Sequence, residues 1–380
     1  MAARNFLLPP RLRLGAGCFQ ALGEEAAQIG RRALVVSGPH TAALGRTGAA
    51  VDLLRAAGLV AQAFSGVDKE PWVQAIDEGT ALGRAMGADL IVGLGGGSAL
   101  DAAKAIAVQI ASSAPIAAFE GHDKVPAALP ILAIPTTAGT GSEVTRFTVV
   151  TRPGEQGAQV KMLIGSPHLV PRAALLDPEL LRSAPPAAAA AAGVDALTHA
   201  VEAFVSDMRQ PITDDLALSA IRHLAPRLPR AARGEAGPED LEELMLGALE
   251  AGMAFSNASV ALVHGMARPL GACFDVPHGV ANGLLLPAVV RFSEPAAEER
   301  YAAIARALGE EASPAAGAVA RICAACALPA PVVYGIDGEQ LARLGPQMAH
   351  DALQSGSPQH NPRLASPEEI AALYREALVT

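Results

Sequence analysis

The stretch ADLIVGLGGGSALDAAKAIA, residues 88–107, constrains the fold more than any other. An apolar run too short for a buried helix ends in three consecutive glycines and passes at once into a helical pattern. Strand, glycine turn and helix in that order make a βα unit, whose next strand lies parallel to the first. The surroundings repeat the pattern. RALVVSG (32–38), AQAFSGV (61–67) and LPILAIPTTAGT (129–140) read as strands, while TAALGRTGAAVDLLRAAG (41–58) and AIDEGTALGRAMG (75–87) read as helices. The expectation is a parallel sheet with helices on both faces.

Near residue 184 the texture changes. SAPPAAAAAAGVDALTHAVEAFVS opens with prolines suited to a first helical turn, and from there on the β signal is almost absent. Helical patterns recur in DDLALSAIRHLAPRL, EDLEELMLGALEAGMAF, AAEERYAAIARALG, PAAGAVARICAACA and SPEEIAALYREAL. The fold class is therefore α/β plus all-α: a Rossmann-like nucleotide domain over residues 1–185 and a helical metal-binding domain over residues 186–380. A length of 380 residues agrees with two cores.

With 51% hydrophobic and 18% charged residues the chain reads as globular, and a net charge of −9 disfavours nucleic acid and anionic membranes as partners. The N-terminal apolar run is too short for a signal peptide, and every long apolar stretch is interrupted by a charge or a histidine, so no membrane span is expected. Cys18, Cys273, Cys323 and Cys326 lie mostly among apolar residues. Cys323 and Cys326 form a CxxC without a second pair, which reads as buried thiols in preference to a redox or zinc motif. A reduced, cytoplasmic setting follows.

Two glycine-containing loops point to a nucleotide. Backbone N–H groups at a helix N-terminus, approached closely where side chains are absent, cradle a pyrophosphate. Gly96, Gly97 and Ser98 supply that cradle, with Asp101 in the first turns of the helix; GxGxxG and GK[ST] are both absent. In PTTAGTGSEVT (135–145), Thr137 and Thr140 offer hydroxyls at the mouth of another strand. Ligands of open parallel sheets sit beyond the carboxyl ends of the strands. A packing turn and a run of capping turns are the plain alternatives.

The helical half carries a metal signal. Asp195 and His199 are four apart in GVDALTHAVEAF, hence stacked on one helix face. His264 and His278, in ALVHGMARPLGACFDVPHGVANG, complete a set of one carboxylate and three imidazoles that suits Fe²⁺ or Zn²⁺ and not Ca²⁺. Separately hydrogen-bonded core histidines are the alternative. The other histidines occupy polar or loop contexts, with His360, before Asn361, Pro362 and Arg363, as the exception worth following.

GGGSALDAAK, PTTAGTGSEVT, GVDALTHAVEAF, VHGMARPLGA…PHGVAN and HNPRLASPEEIAALY, in this order, resemble the group III iron-dependent alcohol dehydrogenases nearly end to end. The resemblance implies a dehydroquinate synthase-like architecture, iron (or zinc), NAD or NADP, a homodimer, and hydride exchange with a small alcohol or aldehyde. By motif, Asp195, His199, His264 and His278 match the metal ligands, and Gly96, Gly97, Ser98, Thr137, Thr140 and Lys161 match positions lining the cofactor cleft. Two departures stand out. Arg268 replaces the usual histidine of MAHPLG, a candidate proton-relay group. Gly38 stands where NAD-preferring members carry an Asp, which leaves NADP open.

Arg268, one turn after His264, either pairs with a carboxylate such as Asp275 or meets an anionic group on the substrate. Two other readings compete with the dehydrogenase. A dehydroquinate-synthase-like lyase requires more cations round the site than Arg268 alone; a non-catalytic metal- or nucleotide-binding protein requires no turnover.

Overall fold

The computed structural model describes residues 4–112, 114–154, 159–310 and 313–379. Two compact units emerge: Phe6–Thr137 with Gly141–Ser183, and Ala184–Thr380 with Ala138–Thr140 as an added segment.

The first unit holds nine strands: β1 (Leu12–Leu14), β2 (Arg32–Ser37), β3 (Val60–Phe64), β4 (Leu90–Gly95), β5 (Gly121–His122), β6 (Ile131–Pro135), β7 (Phe147–Pro153), β8 (Gln159–Gly165) and β9 (Ala173–Leu176). Six form one sheet in the order β1-β9-β6-β4-β2-β3, every pair parallel. Both faces are buried, as a sheet sandwiched by helices requires. Along β2, Leu34 and Val36 join one apolar cluster with Ile91 and Ile106, while Ala33 and Val35 join another with Leu54 and Val92. The alternation of side chains along a strand divides the two cores.

A second, three-stranded sheet runs β5-β8-β7, with β7 and β8 antiparallel. Sequence patterning did not assign it, nor the flanking β1 and β9. The segment expected as one helix over 41–58 is two, Pro39–Ala43 and Arg46–Ala56, parted at Leu44 and Gly45.

The second unit is helical throughout its described residues. Its central helix, Pro186–Val205, begins with Pro186 at the first helical position, where a missing N–H costs nothing. This helix is long and apolar enough to cross a membrane, yet 78% of its most apolar window is buried inside the protein. Helices Pro238–Ala258, Leu262–Phe274 and His278–Ser293 follow, and Gly338–Gln354 and Pro367–Leu378 close the chain.

Cys323 and Cys326 are free thiols on or just after helix Ala315–Ala325. Burial pushes them up to about 12 and about 11, so both stay protonated and unreactive at neutral pH.

Candidate metal centre and cofactor loops

Asp195 and His199 project from Pro186–Val205, and His264 from Leu262–Phe274. All three are at least 95% buried, and one ligating atom from each lies within 4.8 Å of the others. The carboxylate of Asp195 is 3.6 Å from Nε2 of His264 and 3.6 Å from Nε2 of His278. His278 is the first residue of its helix, after Pro277. A Cβ on Gly279 would sit 2.1 Å from the Ala191 carbonyl, so only glycine lets this helix start so near Asp195. His278 alone is open, its side chain 44% exposed, and access to the cluster is from its side.

Two residues that sequence reasoning passed over hold the cluster. Glu202, on the same helix face as Asp195 and His199, accepts from Nδ1 of His264 at 2.6 Å and from the Val263 amide at 2.5 Å. A histidine whose Nδ1–H is tied to a carboxylate presents Nε2 as a free electron pair, which is how proteins fix a metal-ligating tautomer. Asn282, one turn after His278 and fully buried, places Nδ2 at 2.6 Å from Asp195, 3.2 Å from His264 Nε2 and 3.2 Å from His278 Nε2. Its Oδ1 is buried without a partner. The His199 ring stacks on Phe255 with centroids 4.0 Å apart.

The electrostatics agree. Burial pushes His199 down to about 3, against the attraction of Asp195, so its ring is neutral. Burial alone would lower His264, but the Glu202 carboxylate and Asp195 outweigh it and lift the ring to about 9. Burial raises Asp195, yet the imidazoles around it hold its carboxyl well below the usual carboxylate range. Convergent imidazoles and a held carboxylate are the chemistry of a site built for a borderline divalent cation.

Arg268 does not pair with Asp275. Its Nη1 donates to the Ser355 carbonyl at 3.4 Å, and among the described residues no carboxylate lies within salt-bridge distance of it. His360 lies apart from the cluster, paired with Asp207 at 2.8 Å.

In the first unit, helix Gly97–Ala111 starts directly at the glycine turn, with Gly96 as N-cap and Thr137 3.4 Å from where its Cβ would stand. Ser98 Oγ donates to the Lys69 carbonyl, and the next residue, Glu70, pairs with Lys161 at 2.9 Å. Thr137 belongs to the first unit and Thr140 to the second. Asp101 is already engaged by protein donors. Its carboxylate accepts from Ser142 Oγ at 2.7 Å and from the Val149 amide at 3.0 Å, so it braces the second loop from behind. Gly38 also has a steric reason to be glycine: a Cβ there would lie 2.8 Å from the Val67 carbonyl oxygen.

A second buried ionic group was illegible in the sequence. Lys104, fully buried, donates to the Thr145 carbonyl at 2.8 Å, Thr145 Oγ1 at 3.1 Å and the Phe147 carbonyl at 2.8 Å. Burial lowers it to about 8, opposed by Asp101 and Glu143, and burial raises Glu143 to about 7.

Comparison with known proteins agrees with this geometry. Residues 9–178 match the iron-containing alcohol dehydrogenase family and residues 189–378 its Fe-containing C-terminal domain family. Lactaldehyde reductase of Escherichia coli K12 is 37% identical, over 99% of this chain and 100% of that protein. A solved 1,3-propanediol oxidoreductase superposes with a TM-score of 0.94 at 35% identity, covering 99% of this chain and 100% of that one. Sulfoacetaldehyde reductase from Bifidobacterium kashiwanohense, solved with NAD⁺, gives 0.88 at 28% identity, covering both chains completely. The matches favour the dehydrogenase over the lyase alternative. The chain belongs to the iron-containing alcohol dehydrogenases, metal-dependent and NAD(P)-linked oxidoreductases of alcohols and aldehydes.

Proposed function

We propose that this enzyme interconverts a small primary alcohol and its aldehyde with NAD(P), using Asp195, His199, His264 and His278 as the ligand set for Fe²⁺, or for Zn²⁺ where iron is scarce. The observation that carries the reading is the convergence of the Asp195 carboxylate and three imidazoles in one cluster. A divalent ion held by such a set supplies Lewis-acid polarisation of the substrate's oxygen. The chain's own residues prepare for it. Glu202 fixes the tautomer and aim of His264, Phe255 fixes the plane of His199, and burial strips the cluster of water.

The cofactor is held at Gly96, Gly97, Ser98, Thr137 and Thr140, with Lys161 at the rim and Asp101 bracing. The pyrophosphate meets the N-terminal amides of helix Gly97–Ala111, where the helix dipole favours negative charge. When bound there, the nicotinamide would supply the hydride chemistry, and these residues would hold and orient it. Gly38 leaves both NAD and NADP admissible. The names of the relatives, which include reductases of lactaldehyde and sulfoacetaldehyde, support a short substrate. Four free cysteines and the family likeness support a cytoplasmic homodimer. Metal analysis of anaerobically purified protein, then an aldehyde panel with NADH and NADPH, tests the reading. About one ion per chain and metal-dependent turnover are expected, whereas turnover undiminished after complete chelation rejects it. Light scattering tests the dimer.

A further inference from the structure

Arg268 is surrounded by protein, so burial lowers its guanidinium below the ordinary value against the pull of Glu202, yet part of its surface stays open. Of its five N–H donors, one meets the Ser355 carbonyl, at a long 3.4 Å. Buried guanidinium groups ordinarily face a carboxylate, because an uncompensated charge in low dielectric is costly. Here none lies within salt-bridge distance among the described residues. Arg268 stands beside the metal cluster: it follows His264 by one turn on the same face of helix Leu262–Phe274, placing their Cβ atoms about 5–6 Å apart, and it feels the charge of Glu202.

The local charge points the same way. Asp195 and Glu202 bring two negative charges, Arg268 one positive, and the three imidazoles none once a metal has displaced the proton. With a divalent ion bound, one positive charge is left over. A neutral aldehyde leaves it uncancelled, and an aldehyde bearing one oxyanion cancels it.

We propose that Arg268 is a specificity-determining residue that receives an oxyanion on the substrate, making short aldehydes with a terminal carboxylate, sulfonate or phosphonate the preferred substrates. The inference rests on the dehydrogenase reading above. Its fork donates to two oxygens of the oxyanion and fixes the carbonyl end by reach.

The test has two arms. In the first, kcat/KM for reduction of 4-oxobutanoate is compared with that for butanal, and a sulfonate and a phosphonate aldehyde of similar length identify the preferred oxyanion. The wild type is expected to favour an acidic aldehyde about 10- to 100-fold, and Arg268→Gln to lose that ratio by a similar factor. In the second, calorimetry follows butanoate, propanesulfonate and propylphosphonate, with butyramide as neutral control, binding to the metal-loaded protein without cofactor. At least one anion is expected to bind the wild type and to weaken about 10-fold or more in the variant. Equal kcat/KM for acidic and neutral aldehydes, or anion affinity indifferent to the substitution, overturns the proposal. Should Arg268→Gln not fold, the wild-type arms decide, since a preference for the neutral compounds refutes it alone. Failure of every aldehyde to turn over rejects the dehydrogenase reading instead, and calorimetry still judges Arg268.

Discussion

The two units bury ionisable groups to the same depth and resolve them in opposite ways. In the helical unit, Asp195, His199 and His264 converge, with only the neutral amide of Asn282 among them. In the α/β unit, Asp101 and Glu143 come with their own cation, Lys104, whose ammonium donates to three acceptors. A buried acidic cluster is therefore not in itself a metal site. What separates the two is whether the protein brings its own cation: Lys104 closes the first group, whereas the second gathers the Asp195 carboxylate and the imidazoles round one neutral amide and leaves room in its chemistry for an outside ion.

The sharpest way to break this contrast is to remove a ligand. His199→Ala or Asp195→Ala is expected to abolish bound metal and lower kcat/KM by roughly 10³-fold or more, since Lewis-acid stabilisation amounts to several kcal/mol at about 1.4 kcal/mol per decade. Metal analysis beside kinetics checks it. A variant that loses its ion but keeps its rate would show that the cluster is structural, like its counterpart.

Lys104→Met asks the converse question. Deleting one partner of a buried ionic group costs about 3–5 kcal/mol because the remaining charges stay buried. The chain's one tryptophan, Trp72, lies in the α/β unit, so its fluorescence in urea reports that unit's unfolding. The midpoint should fall steeply while metal content stays at the wild-type level. A parallel loss of metal would mean the two clusters are not independent.

Glu202→Gln probes how much of the open cluster's readiness is built in. With the carboxylate gone, nothing charged holds the Nδ1–H of His264, and metal affinity is expected to drop about 10- to 100-fold in competition with a chelator. An unchanged affinity would assign the ligand geometry to helix packing alone.

The contrast also explains what the sequence could and could not disclose. Asp195 and His199 were legible because a helix places i and i+4 on one face, and the two remaining histidines stood out in an apolar stretch. Glu202 and Asn282 obey the same spacing, three residues after His199 and four after His278. They escaped because a glutamate and an asparagine on a helix ordinarily face water. Lys104 and Asp101 were harder still, since their partners lie 41 to 48 residues further along the chain. Distance in sequence does not account for β7 and β8, which pair with each other from Pro153↔Gln159 to Phe147↔Gly165; β7 supplies the Phe147 carbonyl to Lys104. Local periodicity reports which face is buried; it does not report what a buried charge will meet there.

The closed cluster carries a signature in pH that the open one, once metallated, should lack. Burial lifts Glu143 from its ordinary 4.5 to about 7, so the folded protein holds that proton more tightly than the unfolded chain. Its contribution to stability is complete below pH 4.5 and is lost as pH rises through 7. Lys104, lowered to about 8, stays charged over most of that window and adds little slope of its own. Glu143→Gln mimics the protonated carboxyl at every pH. The variant should match the wild type near pH 4 and exceed it by about 2–3 kcal/mol near pH 6.5, as read from urea midpoints of Trp72 fluorescence. A gap that does not widen with pH would mean that Glu143 is ionised throughout, its charge matched by the Lys104 ammonium, and that this cluster is an ion pair at neutral pH and not a shared proton.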